Sequence, residues 1–130
     1  MIVVDASALV ELVLRTAIGA RVDLRLNTPG ETLHAPHLVD LEVAQVLRKL
    51  VIRRYIDVAR GDLALADFLG VRLVRYPHGQ MLARIWELRN TISAYDAAYV
   101  ALAEGLDAPL LTCDRRLAGA SGHRAKIEAV

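Results

Sequence analysis

The chain opens with Ile2-Val3-Val4, a run with no polar residue on either face, which stops at Asp5 and passes at once into helical spacing through Leu9, Val10, Val13 and Leu14. A strand that is apolar on both faces must be covered on both, and helices packed against a parallel sheet provide that cover. The same hand-over recurs along the sequence. Thr32-Leu33-His34 precedes a helix that Pro36 is expected to open, Val71 to Val74 precedes helical spacing over Met81 to Leu88, and Pro109-Leu110-Leu111-Thr112 precedes a short helix after Asp114. Further helices are expected over Ile18 to Leu26, Leu38 to Arg53, Val58 to Leu69 and Tyr95 to Glu104, with a last edge strand over Ala125 to Glu128. Strands alternating with helices predict an α/β fold, a three-layer α/β/α domain with a central, mostly parallel sheet. With 130 residues there is room for one such domain, 1–130.

The stretch Leu38 to Arg53 carries Leu38, Leu41, Val43, Val46, Leu47, Leu50 and Val51, which leaves a narrow polar strip and predicts burial on more than one side. Hydrophobic residues make up 55% of the chain and the mean hydropathy is +0.33, so apolar surface is expected to be hidden by a partner. Trp86 and Tyr99 are expected in the core rather than as base-stacking platforms. The net charge of +1 excludes a bulk field that would draw the chain to nucleic acid or membrane, so any polyanion must be held by a local patch. The single Cys113 excludes an intramolecular disulfide and a multi-cysteine zinc site, and points to a reducing, cytoplasmic compartment and a small buried hydrophobe. No apolar run approaches the ~20 residues of a membrane span. His34 and His37 stand three apart, but Ala35-Pro36 between them places them on different elements, which argues against a shared metal.

Three acids sit where helices start. Asp5 and Asp114 suit N-caps, and Ser93-Ala94-Tyr95-Asp96 fits a capping-box variant with Asp96 near the positive end of the helix dipole. Capping therefore accounts for each of them singly. Together they carry a second meaning, because ligands of open α/β sheets bind beyond the carboxyl ends of the strands, where Asp5 and Asp114 would converge. Glu42 lies in an otherwise apolar helix, aligned with Gln45 and Lys49 on its polar strip, and about 200° around the axis from Asp40, so the two cannot face one crevice.

Four segments in order, Ile2-Val3-Val4-Asp5-Ala6-Ser7-Ala8-Leu9, Leu41-Glu42-Val43-Ala44, Tyr95-Asp96-Ala97-Ala98-Tyr99-Val100-Ala101-Leu102-Ala103 and Leu110-Leu111-Thr112-Cys113-Asp114-Arg115-Arg116-Leu117, resemble the PIN-domain family and its VapC-type toxins. The resemblance spans nearly the whole chain. It implies a Mg²⁺- or Mn²⁺-dependent endoribonuclease acting on structured RNA such as tRNA or rRNA, with Asp5, Glu42, Asp96 and Asp114 as catalytic, metal-binding acids and Ser7 and Thr112 as supporting hydroxyls. It also implies a cognate VapB-type antitoxin, and the apolar composition together with the helix Leu38 to Arg53 predicts a homodimer that binds it. Many relatives carry a further acidic or amide residue shortly after the last Asp; here Arg115 and Arg116 occupy that stretch, which bears on a second metal.

The chemistry agrees with that implication. Two carboxylates ~5 Å apart repel by about 3 kcal/mol at an effective dielectric of ~20, so four in one crevice require cations or raised pKa values. Hard oxygen donors with no Cys or His beside them favour Mg²⁺ or Mn²⁺ over zinc. Water as nucleophile leaves a 5′-phosphate and a 3′-hydroxyl and needs no ribose 2′-hydroxyl, so a preference for RNA rests on binding. A phosphoaspartyl protein would also place an Asp after its first strand, but it requires a Lys after a later strand, and Lys49 and Lys126 are not so placed. A catalytically weak PIN module that serves as an antitoxin-binding partner is the alternative from a different class.

Overall fold

The computed structural model describes residues 1–130. Five strands, β1 (Ile2–Val4), β2 (Leu33–Pro36), β3 (Leu73–Tyr76), β4 (Leu110–Thr112) and β5 (Ile127–Ala129), form one sheet in the order β3-β2-β1-β4-β5, every pair parallel. β1 lies at its centre and is wholly buried, as a run apolar on both faces demands. From β1 the chain steps outward through β2 to β3, then returns to the other side of β1 for β4 and β5. The direction of travel thus reverses between β1 and β4, and there the carboxyl ends of the strands open a crevice.

Seven helices cover the sheet: α1 (Ala6–Val13), α2 (Ala17–Leu26), α3 (Val39–Ile52), α4 (Val58–Gly70), α5 (Leu82–Glu87), α6 (Ala94–Leu106) and α7 (Arg115–Ala118), with a 3-10 turn over Gly79–Met81. Right-handed crossovers put α1 to α4 on one face and α5 and α6 on the other, because the two sets of connections run in opposite directions across the sheet. Accordingly α1 packs on α2, α3 and α4, while α6 packs on α5 and across β1, β2 and β4. α6 is alanine-rich on its buried side, with Ala97, Ala98, Ala101 and Ala103 all in the core, which lets it lie close on the strands. Gly19 does the same for α2: a Cβ there would stand 2.0 Å from the Glu11 carbonyl oxygen of α1.

Five expectations are corrected. Pro36 ends β2, opposite Tyr76, instead of opening a helix; at the last position of a strand its missing N–H costs little, and α3 starts after Leu38. β3 begins two residues later than the apolar run suggests, because Val71 ends α4. α3 is buried on one side in the single chain, through Val39, Val43 and Leu47, and its outer face leaves Leu41 76% and Ile52 61% exposed. Trp86 is on the surface at 68% exposure, its ring under the Arg89 guanidinium, while Tyr99 is in the core. Cys113 is partly buried rather than enclosed. No helix is long and apolar enough to cross a membrane.

Candidate active site

Asp5 follows β1 and occupies the N-cap position of α1, yet its carboxylate makes no capping bond. It turns instead toward β4. Ser7 Oγ and Thr112 Oγ1 each donate to Asp5 Oδ2 at 2.7 Å. Both hydroxyls in turn accept backbone amides from the chain after β4, Cys113 N–H to Ser7 at 3.0 Å and Asp114 N–H to Thr112 at 3.0 Å. The two strands at the reversal point are thereby joined across 107 residues, with Asp5 and Thr112 both buried. Oδ1 of Asp5 receives no hydrogen bond from the chain.

Asp114 keeps its capping role: Oδ1 accepts the Arg116 amide at 2.9 Å, and the Arg116 guanidinium, 94% exposed, stands 3.6 Å from Oδ2. Asp96 lies in the first turn of α6, where Ser93 is the cap, accepting the Asp96 amide at 3.1 Å. The Asp96 carboxylate forms no salt bridge. Burial first, then the charges of Asp5 and Asp114, push it above the ordinary range, and the Ser93 hydroxyl and the more distant Arg116 charge lower its pKa only in part. Glu42, in the first turn of α3, is half-buried and accepts the Tyr99 hydroxyl on Oε1 at 2.7 Å. Burial pushes its carboxyl up against the lowering effect of that hydrogen bond, and Asp5 and Asp96 push in the same direction. Asp40 points elsewhere, to a forked 2.9 Å pairing with Arg75, as the angular separation from Glu42 anticipated.

Four acids from four elements thus share one field, with Arg116 the single cation beside them. The donor set is all oxygen, which fits a hard divalent cation. No group of three or more acidic, His or Cys side chains is assembled to hold one ion. A hard divalent ion of this class keeps several of its waters, so carboxylates can hold it through them as well as directly. Of the two hydrophobic anchors assigned from sequence to the core, Tyr99 carries a polar contact that sequence spacing did not reveal, since it joins residues 57 apart. His34 is a buried strand residue bonded to Thr32 and Tyr76, and His37 lies on the surface, so they do not share a site.

Residues 2–122 match the PIN domain. The chain is similar over its full length to two ribonucleases of Mycobacterium tuberculosis. VapC12 is 48% identical over 130 residues, covering 100% of this chain and 99% of the relative. VapC9 is 42% identical over 130 residues, covering 100% and 98%. Among solved structures, PAE2754 from Pyrobaculum aerophilum superposes with a TM-score of 0.71 at 26% identity, covering 97% of this chain and 81% of that one. VapC20 of Mycobacterium tuberculosis, a sarcin-ricin loop cleaving toxin, gives 0.66 at 17% identity, covering 95% and 99%, a likeness of fold.

Proposed function

The chain belongs to the PIN-domain family, among its VapC ribonucleases, and on that premise we propose that it is the toxin of a VapBC-type pair, an endoribonuclease that requires Mg²⁺ or Mn²⁺. The observation that carries the reading is the convergence of Asp5, Glu42, Asp96 and Asp114 where the sheet reverses, with two of the carboxyls pushed up by burial and by their neighbours' charge. Such a cluster has a deficit of positive charge that a divalent cation offsets.

Asp5 is the fixed member, its Oδ2 held by two hydroxyls and its Oδ1 left for a cation. Glu42, Asp96 and Asp114 complete the set that would hold the ion and its waters. When bound, the ion supplies Lewis-acid activation of water and offsets charge developing on the phosphate. Ser7 and Thr112 spend their protons on Asp5, so they orient it and are not nucleophiles. The RNA is a structured one, a tRNA or rRNA loop whose unpaired nucleotides can enter an open crevice.

The outer face of α3, with Leu41 and Ile52, and the exposed Leu82 and Trp86 of α5 are apolar surface that a second copy and a VapB-type antitoxin would cover. Light scattering at micromolar concentration should report a dimer, and a strictly monomeric particle counts against it. The alternative, a PIN module that binds its antitoxin without cleaving, draws on one observation, the lack of three grouped ligands. Incubation of purified protein with tRNA and rRNA decides between them. Cleavage should stop in EDTA and return with Mg²⁺ or Mn²⁺; undiminished cleavage in excess chelator overturns the metal requirement, and no cleavage with either ion favours the binding module.

A further inference from the structure

Tyr99 is wholly buried, so neither RNA nor solvent reaches it. Its hydroxyl donates to Glu42 Oε1 at 2.7 Å. Asp96 stands three residues before Tyr99 in α6, on the same helix face. One phenol therefore links α6 to the first turn of α3, the two elements that carry Asp96 and Glu42. Glu42 is otherwise a side chain with several rotamers on a half-exposed helix, and Tyr99 is its sole hydrogen-bond partner in the chain.

The geometry points to Tyr99 as a positioning residue for the acidic cluster, which fixes Glu42 through Oε1 and leaves Oε2 to receive a hydrated divalent cation. The inference rests on the metal-dependent reading above and adds a residue that touches neither substrate nor ion. A purely structural tyrosine would fill the same volume, and Phe would serve as well. A positioning tyrosine acts through Glu42 alone, so its effect vanishes once Glu42 can no longer hold the ion.

The test is Mn²⁺ binding, by calorimetry or by the electron-paramagnetic signal of the free ion, for the wild type, Tyr99→Phe, Glu42→Gln and the double variant, each also melted in EDTA. Tyr99→Phe should weaken Mn²⁺ binding about tenfold or more in the wild-type background, as loss of an orienting partner does. It should have no further effect in the Glu42→Gln background. Unchanged Mn²⁺ affinity in Tyr99→Phe, or losses that multiply independently in the double variant, overturn the proposal.

If Tyr99→Phe does not melt cooperatively, the wild type labelled with 3-fluorotyrosine replaces it. The chain has four tyrosines, and Phe substitutions at Tyr55, Tyr76 and Tyr95 assign the fourth fluorine signal to Tyr99. That signal should shift during a Mg²⁺ titration with the midpoint of ion binding, and a stationary signal overturns the proposal. Ion binding coupled to Tyr99 in a protein that cleaves no RNA would strike the ribonuclease reading and leave this one standing. Cleavage with an uncoupled Tyr99 does the reverse.

Discussion

α6 carries an acid near each end, and the two behave in opposite ways. Glu104, near the last turn, has a side chain 2% exposed, yet its carboxyl is held below the ordinary range. The reason is its partners: Arg84 donates to both oxygens at 2.8 and 3.0 Å, and the Arg124 amide donates at 2.9 Å. Asp96, in the first turn, is less covered, and its carboxyl is pushed up. Asp5 and Asp114 outweigh the one guanidinium near it, that of Arg116, and no guanidinium is bonded to it. Burial alone therefore does not mark a functional acid; a buried acid left among like charges does. The Glu104 end also borders a cavity of about 420 Å³ lined by Arg84, Glu104 and Arg124, whose charges are spent on one another. That hollow is not where the chemistry is expected.

The strongest way to break this contrast is Asp96→Asn. RNA cleavage should fall by two orders of magnitude or more, and the shift in melting temperature produced by Mg²⁺ should shrink. In EDTA the variant should be more stable than the wild type by roughly 1 kcal/mol, because one like charge has left the cluster. Were Asp96 merely a first-turn acid, the change would cost about 0.3–1 kcal/mol of dipole interaction and leave activity and the Mg²⁺ shift intact. The signs in EDTA are opposite, so melts and a cleavage assay together separate the two roles.

At the other end, Glu104→Gln should lower stability by about 1–3 kcal/mol, below the full cost of breaking a buried pair because Arg84 retains Glu87 and some contact with solvent. Cleavage per folded molecule and the Mg²⁺ shift should not change. A loss of cleavage in well-folded Glu104→Gln would erase the distinction between the two ends.

The smallest effect, and the one that sharpens the contrast most, is the pH dependence of melts in EDTA. Glu104 has a folded pKa below its ordinary 4.5, so its stabilisation is complete above pH 4.5 and is lost as pH falls below it. Glu42 and Asp96 have folded values above their ordinary 4.5 and 3.8, so they act in the other direction: the metal-free chain loses stability as pH rises from those values upward. Glu104→Gln should flatten the acid limb of the stability profile, and Asp96→Asn or Glu42→Gln the limb above it. Profiles of identical shape for all three variants would contradict the assignment.

The parts of this molecule that were legible in the sequence are those governed by near neighbours. β1 and β4 follow from short apolar runs, and Ser93 at the start of α6 and Asp114 at the start of α7 cap as their spacing indicates. Asp5 was legible as a cap position but not in what its carboxylate does, since the hydroxyl of Thr112 comes from the far side of the chain. Glu42 read as one more residue of a polar strip. Nothing within four residues of it shows that Tyr99 will meet it, and the family resemblance, rather than periodicity, singled it out.

Sequence by itself determined the alternation of strand and helix, the parallel sheet and the places where acids stand at helix starts, because strand propensity, helical spacing and capping are decided within about one turn of the chain. Tertiary structure alone decided which acid is paired and which is not. Asp40 meets Arg75 and Glu104 meets Arg84, while Asp5, Glu42 and Asp96 meet one another's fields, and Trp86 lies outside while Tyr99 lies within. The state of a carboxylate depends on the charges and the water within a few ångströms of it, and those are set by strand order and helix packing, which bring together residues far apart in the chain.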